Sequence, residues 1–184
     1  MQYRLYPFPK CFCFLPYSIF KYRIARVRKV SNPALRTSFH AYRSKLLQQG
    51  RDATVKRAFH STLSTVTHKG ETDTGWFGSG LYFSAYPDYT FCYNNKPPRP
   101  LQEGDKGSVI LFDVCLGKIK KLTGLNMGGT LTPGYNSPMS PKGCEWVISD
   151  QNQCSPRFIL DFVVERLPLK KKLSGKIWED GEAI

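Results

Sequence analysis

The hydrophobic rhythm of this chain changes several times, and the changes divide it. Residues 1–30 hold no steady period. Pro7, Pro9 and Pro16 interrupt them, and Tyr and Phe alternate with Lys and Arg. They read as a poorly ordered basic leader, in which Ile24, Val27 and Val30 supply a short strand at most. Then Leu35, Phe39, Tyr42 and Leu46 recur at i, i+4, i+7 and i+11, one apolar stripe that predicts a helix over about 33–49. Ser31 or Asn32 supplies its N-cap, Pro33 fits its first turn, and Gly50 closes it. Arg36, Arg43 and Lys45 lie off the stripe and predict a solvated face.

Past the helix the apolar runs shorten. Residues 55–59 form a strand signal that ends in His60-Ser61-Thr62, followed by a polar loop over 63–74. Gly75, Gly78 and Gly80 punctuate the aromatic run 76–84, and residues 87–93 predict a short helix opening at Pro87-Asp88. Residues 94–106 are a Pro-rich loop. Residues 108–116 (SVILFDVCL) predict a buried strand stopped by Gly117, with 118–122 extending the sheet. Residues 124–142 read as a loop rich in Gly, Pro and Asn; 145–148 and 157–165 read as two more strands. The polar tail from residue 167 is expected to fray. Many short strands with few helices predict an α+β fold with a mixed or split sheet. The expected organisation is a leader (1–30), one domain (31–166) and a tail (167–184).

Composition narrows the class. The chain has 184 residues, 41% hydrophobic and 14% aromatic, which excludes disorder by composition and allows a real core. Its net charge is +13, a value that suggests nucleic acid or an anionic surface as partner. The charge is unevenly placed. Residues 1–59 carry 13 Lys and Arg against one acid, Asp52, for +12, whereas residues 60–184 carry only +1. A nucleic-acid contact would therefore run through residues 1–59, and function in the remainder has to be argued from sites.

Six cysteines stand at 11, 13, 92, 115, 144 and 154 without a C-x-x-C pair, and His40, His60 and His68 complete no zinc spacing. Reduced, mostly buried thiols and no metal are expected, in an intracellular protein, nuclear or cytoplasmic. The apolar run 11–20 contains Pro16 and falls far short of the roughly 20 residues of a membrane span. No small-residue cleavage site follows it, so no signal peptide is read. Lys170-Lys171-Lys172 is too short to mark a nuclear signal.

Three ordered blocks carry the chemistry: Ala58-Phe59-His60-Ser61-Thr62; then Phe77-Gly78-Ser79-Gly80-Leu81-Tyr82-Phe83-Ser84, with Tyr93 eleven positions after Tyr82; then Cys144-Glu145-Trp146-Val147-Ile148, with Gln153 and the 158–162 run after it. Together they resemble the catalytic domain of the poly(ADP-ribose) polymerase family, the diphtheria-toxin-like ADP-ribosyltransferases of His-Tyr-Glu type. The resemblance covers about residues 24–165.

It implies a split mixed and antiparallel sheet and NAD⁺ as ADP-ribose donor. A retained Glu is compatible with chain elongation, and the trimmed loops favour a protein acceptor modified with a single ADP-ribose unit. It also implies roles. Tyr82 and Tyr93 would sandwich the nicotinamide, with Phe83 beside them in the donor site. The Ser61 backbone would bond the carboxamide, assisted by the Thr90 hydroxyl. His60, supported by Thr62, would bond the adenosine ribose. Glu145 would hold the nicotinamide ribose, stabilise the oxocarbenium-like centre and orient or deprotonate the acceptor. His60, Tyr93 and Glu145 are thus the implied catalytic set.

Three departures qualify the match. Ser61 replaces the family's Gly, only 12 residues separate Thr62 from Gly75, and the loop 124–143 is compact. Ser61 and the short donor region motivate one rival, an inactive relative acting as a binding module. The basic N-terminus motivates another, a nucleic-acid-binding protein acting through that end.

Overall fold

The structure, a computed structural model, describes residues 20–61, 75–91 and 101–166. The leader up to residue 19, Thr62, the loop 63–74, Cys92, Tyr93 and the tail 167–184 lie outside the described residues.

The chain folds into two four-stranded sheets. Sheet A has the order β1-β8-β4-β2, built from β1 (Phe20–Lys29), β2 (Val55–His60), β4 (Lys106–Cys115) and β8 (Cys154–Arg166), all antiparallel. Sheet B has the order β3-β7-β6-β5, from β3 (Leu81–Phe83), β5 (Ile119–Lys121), β6 (Ser137–Met139) and β7 (Trp146–Ile148). Its β5–β6 pair is parallel and the others antiparallel, so the predicted mixed, split α+β arrangement is what forms.

The long helix α1 (Pro33–Gln48) follows its sequence signals closely. Asn32 accepts the Leu35 N–H at 3.0 Å as N-cap, and Phe39 and Leu46 of the stripe are buried. Its end is a Schellman motif: Arg51 N–H donates to the Leu46 carbonyl at 2.9 Å and Gly50 N–H to that of Leu47 at 3.0 Å. Gly50 takes the φ of 64° that this turn requires. The second helix, α2 (Pro87–Phe91), lays Phe91 on Phe162 of β8, rings stacked at 3.8 Å.

Three apolar clusters hold these layers. One contains Ala58, Phe83, Val114, Trp146 and Ile148, so it draws on both sheets and fastens them to each other. A second puts Phe39 and Leu46 of α1 on Ala53 and Cys115. The third packs Phe91 of α2 on Val109, Phe162 and Val164. Each fully buried aromatic or aliphatic side chain contributes about 1.5–3 kcal/mol. Cys115, Cys144 and Cys154 are buried thiols outside any disulfide, as expected.

Residues 20–29, read from sequence as leader, instead form the ten-residue edge strand β1. A β-bulge between Ile24 and Arg26 breaks its alternation, which is why no period of two was visible. The expected loop 124–142 likewise contains β6, whose pairing depends on backbone and hydroxyl bonds rather than on an apolar pattern. No helix among the described residues is long and apolar enough to cross a membrane.

Candidate functional site

The two sheets meet where the first block of the sequence runs into the second. Phe59 N–H donates to the Ser84 carbonyl at 2.7 Å, and Ser84 N–H returns a bond to Phe59 at 3.0 Å. This bridge places the end of β2 beside the end of β3. On its other side β3 pairs with β7, Phe83 opposite Trp146. His60 at the end of β2 and Glu145 at the entry of β7 therefore flank one intervening strand. At a spacing of about 4.8 Å per strand, their backbones lie about 10 Å apart across the strands.

His60 is oriented by the backbone. Its Nδ1 lies 2.7 Å from the Tyr82 carbonyl oxygen. A carbonyl only accepts, so Nδ1 carries a proton, and whenever the ring is neutral Nε2 is its acceptor nitrogen. The ring also packs near Phe83, at 5.6 Å, and Phe112, at 6.4 Å. Backbone bond and aromatic packing together fix its direction.

Glu145 is held from two directions. Its backbone N–H donates to Ser140 Oγ at 3.1 Å and its carbonyl accepts the Ser140 N–H at 2.9 Å. Its side chain accepts a hydrogen bond from the Tyr89 hydroxyl of α2. Burial pushes the carboxyl above the ordinary carboxylate range, and the Tyr89 bond pulls part of the way back. A carboxylate with raised proton affinity suits a group that must accept a proton. Ser140 and Tyr89 were not found from sequence. Tyr89 is one of two aromatics on a five-residue helix too short to show a period, and Ser140 sits in the stretch read as plain loop.

Tyr82 spends its hydroxyl on the turn that precedes it. It accepts from Phe77 N–H and donates to the Gly78 carbonyl, both at 2.8 Å. The Gly-spaced segment is shaped by close approach: a Cβ on Gly80, at φ 153°, would stand 2.4 Å from the Ile148 carbonyl oxygen. Only glycine lets β3 lie this near β7. Thr90 is buried and its hydroxyl donates to the Pro87 carbonyl at 2.7 Å. Ser61 Oγ reaches the Ser108 carbonyl at 3.4 Å. Phe83 is buried in the cluster between the sheets, a core residue rather than an open wall. Thr62 and Tyr93, which the resemblance places in the same site, lie outside the described residues.

Buried Gln153 donates to the Cys115 carbonyl of β4 at 3.1 Å and to Ser137 Oγ of β6 at 3.0 Å. It ties sheet A to sheet B by hydrogen bonds where the apolar cluster ties them by packing. Among the described residues no group of three or more His, Cys, Asp or Glu is placed to hold a metal ion.

Two split four-stranded sheets, an entry helix and a short helix after β3 define a fold of the poly(ADP-ribose) polymerase type. Among solved structures, the crystal structure of the TASOR pseudo-PARP domain is similar, with a TM-score of 0.65 over 78% of this chain and 84% of that one. The two are 20% identical, a likeness of fold. No protein-family model matches the chain, and no curated protein matches it.

Proposed function

We propose that this domain takes NAD⁺ as donor and transfers one ADP-ribose unit to a protein acceptor, releasing nicotinamide. The observation that carries the reading is the placement of His60 at the end of β2 and Glu145 at the entry of β7, the strands flanking β3. The imidazole tautomer is fixed by the Tyr82 carbonyl, and burial raises the proton affinity of the carboxyl. In this reading the nicotinamide–ribose bond breaks with its electron pair leaving on nicotinamide. The acceptor nucleophile adds to the ribose carbon, and its proton passes to Glu145. His60 orients the donor's adenosine ribose through Nε2. Tyr93 stacks on the nicotinamide with Tyr82 opposite it.

The reading is tested by incubating the protein with labelled NAD⁺. Label should appear on the protein or on an added acceptor, and Glu145→Ala and His60→Ala should remove it while the fold persists. Equal labelling by wild type and Glu145→Ala sinks the assignment.

A second reading, an inactive binding module, is favoured by Thr90. Its hydroxyl, assigned to the nicotinamide carboxamide, donates instead to Pro87 inside α2. Ser61 in the Gly position points the same way, as does the designation of the similar TASOR domain as a pseudo-PARP. NAD⁺ binding without label transfer decides for this reading.

A further inference from the structure

The strand β1 closes one side of sheet A, and among the described residues no strand pairs with its outer edge. Such an edge presents a row of backbone donors and acceptors to a further strand. The row is readable from the register. Val30 N–H donates inward to the Arg157 carbonyl at 2.9 Å and Arg28 pairs with Ile159, so the N–H groups of Val27 and Lys29 point outward.

The two faces of β1 differ in chemistry. Tyr22, Ile24 and Val27 stand opposite Val164, Phe162 and Leu160, on the face of the cluster beneath α2. That apolar layer runs out to the edge and stops there: Ile24 is 46% exposed and Val27 58%. The opposite face carries Lys21, Arg23, Arg26 and Arg28 beside Glu165, Val163, Asp161 and Ile159. Glu165 pairs with Lys21 and Arg23, and Asp161 with Arg28. Two acids thus face four cations, and Lys29 adds a fifth on the strand.

Charge on an edge strand ordinarily keeps other chains away. Here the exclusion is selective. A second copy of β1 would set five cations against five, whereas an acidic strand would meet complementary charge. Exposed Ile24 and Val27 would in turn gain cover from its apolar face.

We propose that β1 is a docking edge for an extended acidic segment of a partner protein. The segment adds a fifth strand to sheet A, with apolar residues alternating with Asp or Glu. Backbone pairing supplies affinity and the alternation supplies choice.

The test is fluorescence anisotropy of the full chain with a labelled peptide as long as β1, alternating valine with glutamate, against its valine–lysine counterpart. The acidic peptide is expected to bind at least about tenfold more tightly. Val27→Pro removes an outward N–H at a position where an edge tolerates proline, and Arg26→Glu reverses a charge; each should weaken binding about tenfold or more. Hydrogen exchange should show peptide-dependent protection at Val27 and Lys29, which needs no variant. Overturning results are equal binding of both peptides, no saturable binding, or protection elsewhere. A concentration-dependent dimer abolished by Val27→Pro would give the edge to a second copy instead.

Discussion

The Gln153 side-chain nitrogen donates to Ser137 Oγ at 3.0 Å, and that hydroxyl in turn donates to the Leu116 carbonyl at 2.8 Å. All of this is buried, and the same nitrogen bonds the Cys115 carbonyl. The chain of bonds runs from the turn before β8 to β6 and back to the end of β4, across the split between the sheets. Gln153→Leu keeps the volume approximately but leaves Cys115 and Ser137 short of a donor in a dry interior. It is expected to cost about 1–3 kcal/mol, seen as a lowered thermal midpoint. Combined with Ser137→Ala it should cost less than the sum of the two single changes, because both remove one shared bond.

Glu145 sets stability against function. Its folded-state proton affinity is raised by burial, so its ionisation opposes folding. The stability associated with the protonated group is fully present below the ordinary glutamate range near pH 4.3 and is lost as pH rises through the higher folded value. Glu145→Gln, a neutral isostere that still accepts from Tyr89, should therefore melt higher than wild type at pH 7. The gain should disappear on acidification to about pH 4. The same variant should abolish label transfer from NAD⁺. A pH series of thermal melts checks the first part, and a variant no more stable than wild type at pH 7 would refute it.

Tyr89 supports that carboxylate from α2. Tyr89→Phe leaves Glu145 buried without this donor, so its proton affinity should climb further. The loss, about 1–3 kcal/mol, should be felt where wild-type Glu145 is ionised and shrink at low pH. Chemical denaturation at neutral and acidic pH measures both values. If catalysis occurs, the acidic limb of its pH profile should move upward in the same variant.

Much of this arrangement could be read from the chain, and the parts that could not share a cause. Asn32, the Leu35 to Leu46 stripe and Gly50 mark α1 because each acts within one helix. The Gly80-Leu81-Tyr82-Phe83 block is legible because close approach of β3 to β7 excludes any side chain at Gly80. Strand β1 was hidden by a bulge that shifts its period and by cations whose acid partners lie more than a hundred residues away. Strand β8 starts at Cys154 rather than Arg157, because a register shift accommodates Pro156 opposite Phe112. Tyr89 acts on Glu145 from another element, and Ser140 acts through an irregular turn five residues away; no hydrophobic period encodes either contact.

Gly80 offers a direct test of that close approach. Gly80→Ala would drive a methyl group into the Ile148 carbonyl at 2.4 Å, and its φ of 153° is strained for any L side chain. The neighbour is backbone of a buried strand and cannot swing aside. The expected loss is about 1–3 kcal/mol, with the exchange protection of β3 and β7 falling more than that of β4 and β8. Uniform loss across both sheets would show that sheet B does not open independently.

His60 lets fold and chemistry be separated at one position. Nδ1 serves the Tyr82 carbonyl, and Nε2 is the nitrogen assigned to the donor. Asparagine places its amide nitrogen near the Nδ1 position but has nothing at Nε2. His60→Asn should therefore keep the bond to Tyr82 and stay within about 1 kcal/mol of wild-type stability. It should also lose NAD⁺ binding by titration calorimetry. Glutamine reaches toward the Nε2 position and misses the carbonyl. His60→Gln should then lose stability while retaining more of the NAD⁺ affinity. If both variants bind NAD⁺ as wild type does, Nε2 has no part in holding the donor. His60 would then act only as a clamp between β2 and β3.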